Sequence, residues 1–120
     1  MKTKNPYAYI KDWPMLLEQI RRKPGNWLGQ PSLIALNHFI GGIGVAESIH
    51  GIAKKKRLGG FPWEEFEKWA HERFNPHRLS IRSFDMALRS TNSDEEAFSR
   101  WFEWYDQFNS EREAIASNES

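Results

Sequence analysis

The 120 residues predict an all-α bundle of about five helices in one domain. Apolar residues recur three and four apart through most of the chain, the spacing of one helix face. Pro–Gly, Gly–Gly and Asn–Pro pairs separate these stretches. No run alternates apolar and polar residues as a half-buried strand would. The length suits a single core. Six Trp, eight Phe and three Tyr can fill it, each ring burying about 150–250 Å².

Residues 1–11 read as an arm, with Tyr7, Tyr9 and Ile10 to pin it to the body. Asp12 is a good N-cap for the first helix. Trp13, Leu16, Leu17 and Ile20 form its apolar stripe, and Arg21, Arg22 and Lys23 close it where cations suit the helix dipole. Pro24-Gly25 reads as a type II turn. The second helix, 31–50, starts at Pro31. Leu33, Leu36, Phe39, Ile40, Ile43 and Ala46 occupy one arc of it, and Ile34, Val45, Ile49 and Ile52 the other. A helix apolar on both sides is expected at the centre of the bundle. Gly41, Gly42 and Gly44 weaken it, and either a close neighbour or a kink would account for them.

Residues 51–60 form a Gly-bounded loop carrying Lys54, Lys55, Lys56 and Arg57. Pro62, Glu64 and Glu65 open the third helix. Phe66, Trp69, Ala70 and Phe74 are its inner stripe; Glu67, Lys68, His71 and Glu72 are expected in water. Asn75-Pro76 ends it. A fourth helix, about 80–90, is capped by Ser80 and packs through Ile81, Phe84 and Leu88. Ser93 and Glu96 form a capping box for the fifth, whose Phe98, Trp101, Phe102, Tyr105 and Phe108 make a wide aromatic face. Residues 109–120 turn polar and are expected to fray.

Without cysteine there is neither a disulfide nor a Cys-based zinc site, which suits a reducing cytosol. No stretch resembles a signal peptide or the ~20 apolar residues of a membrane span. The four His show no metal-binding spacing, so neither metal nor cofactor is expected. Glu47 and His50 share a face and could act as an acid/base pair, but a structural contact is the stronger reading. Gly41–Gly44 is no phosphate loop, lacking a following Lys-Ser/Thr.

Charge is distributed unevenly. Residues 1–60 hold ten Lys/Arg against three Asp/Glu; residues 61–120 hold seven against thirteen. The acidic half offers Glu64, Glu65, Glu67 and Glu72 on one helix, and Asp94, Glu95, Glu96, Glu103 and Asp106 on another. With Trp63 and Trp104 nearby, adjacent acidic faces would dock and steer a basic protein. Trp27 is a third aromatic expected near the surface. Lys54–Arg57, with Arg21, Arg22 and Lys23, supports an alternative: a small nucleic-acid-binding module.

The string Arg21-Arg22-Lys23-Pro24-Gly25-Asn26-Trp27-Leu28-Gly29, a Leu-rich helix, Phe66-x-x-Trp69, Glu95-Glu96-Ala97-Phe98 and Trp101-Phe102 resembles a family of short bacterial α-helical proteins. Members lie near polymorphic or contact-delivered toxin genes and are regarded as immunity proteins. The resemblance spans roughly residues 13–108; Asn26 and the Lys54–Arg57 run depart from it. It implies a cytoplasmic protein, without catalytic residues, that neutralises a cognate toxin by covering its active surface.

Overall fold

The computed structural model describes residues 5–119. Among them are six α-helices and one 3₁₀ turn: α1 (Trp13–Arg22), α2 (Pro24–Leu28), α3 (Leu33–Ile49), the turn Lys54–Lys56, α4 (Trp63–Phe74), α5 (Ser83–Arg89) and α6 (Asp94–Glu119). The described residues contain no strand, and the all-α bundle expected from the periodicity is the architecture found. The first four residues of the expected arm lie outside the described part; Tyr7 rests against Trp27 with ring centroids 5.7 Å apart.

Local signals act as expected in α1. The Asp12 carboxylate accepts the Met15 N–H at 2.9 Å, and Trp13, Leu16, Leu17 and Ile20 are all buried. The next segment corrects the expected turn. Pro24 starts a five-residue helix instead, because its ring presets helical φ and its missing N–H is not needed in the first turn. Gly29, at φ 84°, ends that helix in the left-handed region. The following helix starts at Leu33 rather than Pro31, since the Ser32 hydroxyl accepts the Ala35 N–H and makes Ser32 the N-cap.

The burial centre is α6. Its Trp101 is fully buried, stacked on Phe84 at 5.2 Å and edge-on to Phe66 at 5.5 Å. Phe98, Phe102, Trp104, Tyr105 and Phe108 of the same helix are buried around it. By contrast α3 has only Leu33 and Leu36 buried, both in its first turn. It packs on α2, α5 and α6, and its second half extends along the surface. A helix apolar all round need not be central; here one of its two apolar sides is left in solvent.

Three long-range contacts join helix ends to the body. Asp94, at the start of α6, accepts the Leu33 and Ile34 N–H groups at 2.8 and 3.0 Å and the Ser32 hydroxyl. These donors have no partner within α3. Glu67 of α4 accepts the Ser83 N–H at 2.8 Å, so α5 starts there and not at Ser80. The Ser83 hydroxyl also donates to Glu67 and accepts the Trp101 indole N–H at 3.0 Å. The Trp13 N–H donates to the Gly59 carbonyl at 2.8 Å and anchors the basic loop. Gly60 sits at φ 87°, where a Cβ would stand 2.8 Å from the Asp12 Cβ; only glycine fits that crossing.

Residues 109–119 are helical, not frayed. Arg73 of α4 pairs with Glu111, and Arg112 reaches Glu65 at 3.9 Å. The Arg112 guanidinium also lies 5.4 Å from the Phe108 ring centroid. The radius of gyration, 15.9 Å, exceeds the roughly 14 Å of a compact chain this long.

Candidate functional site

The acidic residues lie on two helices that pack on each other. Phe74 of α4 stacks on Trp104 of α6 at 4.3 Å, and Trp69 meets Phe108 at 5.6 Å. The two acidic helices are therefore neighbours. Within that arrangement the candidates divide. Glu64 and Glu72 are exposed and make no ion pair among the described residues. Glu103 is exposed and faces Arg100 at 3.5 Å. Glu65 is offset by Arg112, and Asp106 by Arg21 at 2.7 Å. Glu67 is turned inward to Ser83 and is unavailable to a partner.

Neither tryptophan candidate is a free anchor. Trp104 is buried against Phe74, which corrects its expected place at the surface. Trp63 is half-buried, edge-on to Trp13 at 5.3 Å and stacked on Trp101 at 6.3 Å. Trp27 is half-buried between Tyr7 and Phe39.

The basic residues are dispersed. Lys54, Lys55 and Lys56 are exposed on the 3₁₀ turn. The Arg57 Nε donates to the Ile52 carbonyl at 2.9 Å. Arg21 is held by Asp106 and by the Phe102 carbonyl, with its guanidinium 4.6 Å from the Phe102 ring centroid. Arg22 and Lys23 stand at the C-terminal end of α1, whereas the Lys54–Lys56 loop is tied to its N-terminal end.

Glu47 and His50 do not form a pair. The Glu47 carboxylate accepts the Leu58 N–H at 2.7 Å and holds the basic loop against α3. His50 is exposed at the helix end, and no hydrogen bond joins the two among the described residues. No group of described residues could hold a metal ion. An open depression of about 550 Å³ lies between the 74–81 segment and α5, lined by Phe74, His77, Ile81, Met86, Arg89 and Ser90 among others; the Ser90 hydroxyl donates to the Ala87 carbonyl at 3.1 Å.

Spacing revealed a second apolar side on α3; the structure shows that it faces solvent. Ile34, Val45 and Ile49 are 49%, 59% and 76% exposed. With His38 and Gly41 they form one stripe at 100° per residue. A Cβ added at Gly41, Gly42 or Gly44 would meet nothing within 4 Å. Internal packing therefore does not require these glycines, although each costs about 1 kcal/mol of helix stability relative to Ala.

No family model, curated protein or solved structure matches this chain. No described helix is long and apolar enough to cross a membrane. Sequence reasoning missed the carboxylates that hold the fold together, Asp94 and Glu67, because each was assigned to a solvent face. A spacing signal existed for Asp12 and for Ser93 with Glu96, whose box closes locally: the Glu96 N–H donates to the Ser93 hydroxyl at 3.0 Å, and Glu96 accepts the Asn92 N–H at 3.2 Å.

Proposed function

We propose that this chain is an immunity-type binding protein that neutralises a cognate bacterial toxin by covering its active surface. One observation carries the reading: α4 and α6 pack side by side and leave Glu64, Glu72 and Glu103 exposed on their outer sides. Exposed carboxylates on two neighbouring helices of an aromatic-cored body suit the capture of a basic protein, with fast, salt-sensitive association. The resemblance of residues 13–108 to toxin-linked immunity proteins names the class of partner. A cytoplasmic location belongs to the same proposal.

The test is calorimetric titration with the C-terminal domain of the large reading frame encoded beside this gene. Submicromolar binding is expected, with an association rate that falls in salt and in the triple variant Glu64→Lys, Glu72→Lys, Glu103→Lys. No such reading frame, or no binding at micromolar concentrations, overturns the proposal. The nucleic-acid alternative has less support, because Arg21 and Arg57 are occupied inside the fold and the remaining cations are anchored at opposite ends of α1.

A further inference from the structure

We infer that the outer face of α3 is a self-association surface, on which a second copy of this chain packs antiparallel through the same helix. The α3 stripe is two-fold symmetric along the sequence. Ile34 and Ile49, His38 and Val45, and Gly41 and Gly42 are equidistant from a point midway between the two glycines. An antiparallel copy therefore sets Ile34 against Ile49 at both ends and brings glycine to glycine at the crossing. That is the self-complementarity an isologous interface requires. Open glycines at the crossing let two helix backbones approach closely, and the contact then buries branched side chains that the monomer leaves in water.

The charges at the ends of the helix argue for the same occupant. Beyond the C-terminus of α3 lie exposed Lys54, Lys55 and Lys56. At its N-terminus lies the start of α6, where Asp94 binds the first α3 amides and Glu95 and Glu96 are exposed. Antiparallel pairing brings the lysines of each copy to the acidic end of the other, twice by symmetry. An unrelated partner would have to supply an apolar helix with the same order of charges; a second copy already has it. A single helix crossing about 25 Å long is small for a permanent dimer, so the association is reversible and weakens with dilution and salt.

Sedimentation equilibrium of the full chain across micromolar to millimolar concentrations tests this. The expected result is a monomer–dimer equilibrium that weakens as salt rises. Val45→Asp is expected to give a monomer with an unchanged melting temperature, because Val45 is exposed in the monomer. Gly41→Leu with Gly42→Leu is expected to abolish the dimer while the melting temperature holds or rises. A charge swap checks the register. Lys54, Lys55 and Lys56 changed to Glu in one variant, and Glu95→Lys in another, each weaken self-association at least about tenfold. Mixed together, the two restore pairing at both ends. A wild-type monomer throughout, aggregates larger than a dimer, a dimer indifferent to Val45→Asp, or no recovery on mixing overturns the inference. The toxin titration above reads a different flank, so the two proposals fail separately.

Discussion

The two longest helices, α3 and α6, are both rich in large apolar residues and treat them in opposite ways. α6 turns Phe98, Trp101, Phe102, Trp104, Tyr105 and Phe108 inward and is the element the others pack around. α3 buries only Leu33 and Leu36, and carries Ile34, Val45 and Ile49 outside. The difference lies in side-chain size and in what flanks each helix. Aromatic rings three and four apart make a wide arc that α5, α4 and the first part of α3 cover together, with Arg21 of α1 against Phe102. Aliphatic residues interrupted by Gly41, Gly42 and Gly44 make a narrow rod whose far side no described residue covers. An apolar helix is thus a core only where the rest of the chain reaches it.

The contrast is sharpest when the two faces are truncated in turn. Trp101→Ala is expected to remove about 3–5 kcal/mol, a large share of the stability of a domain this size. It should leave the chain unfolded or nearly so at 37 °C by circular dichroism. Val45→Ala should be nearly silent in the same melt, since Val45 is 59% exposed. A melting temperature that falls as far for Val45→Ala as for Trp101→Ala would erase the distinction.

Asp94 is where the two helices meet. Asp94→Ala strips the acceptor from the Leu33 and Ile34 N–H groups and should cost about 2 kcal/mol, the upper end for a lost cap. Chemical denaturation measures it directly. Amide exchange should accelerate at the start of α3 while the Trp101 region keeps its protection; equal acceleration in both would mean that the helices do not open separately.

The smallest effect concerns the far end of α6. Partial desolvation pulls the Glu111 carboxyl upward, but hydrogen bonds from Arg73 and Trp69 outweigh it and hold the group below its ordinary 4.5. A depressed folded-state pKa contributes stability above that ordinary value, and the contribution disappears as pH falls through the lower folded value. Acidification through the range below that ordinary value should therefore release the 109–119 segment first. An NMR titration that finds Glu111 at or above its ordinary value would remove this anchor.

How far the sequence could be read follows the range of each interaction. Asp12 and the Ser93–Glu96 box were legible because donor and acceptor lie within a few residues, and so was the α6 face, because one helix presents it. Asp94 and Glu67 were not, because their acceptor roles depend on Leu33 and Ser83, 61 and 16 residues away. The acidic positions were assigned correctly to α4 and α6, but spacing could not show that Arg112 and Arg21 offset two of them. For α3, periodicity revealed two apolar sides. Only the surrounding fold decides which of them is covered.

The most direct measurement is the thermal melt of the triple variant Gly41→Ala, Gly42→Ala, Gly44→Ala at a concentration where the wild type is monomeric. If the second half of α3 is an open face, added methyl groups meet nothing. Helix propensity then raises stability by up to about 1 kcal/mol per site, and the melting temperature climbs. A variant that melts below the wild type would mean that these glycines lie against another part of the chain, contradicting the account.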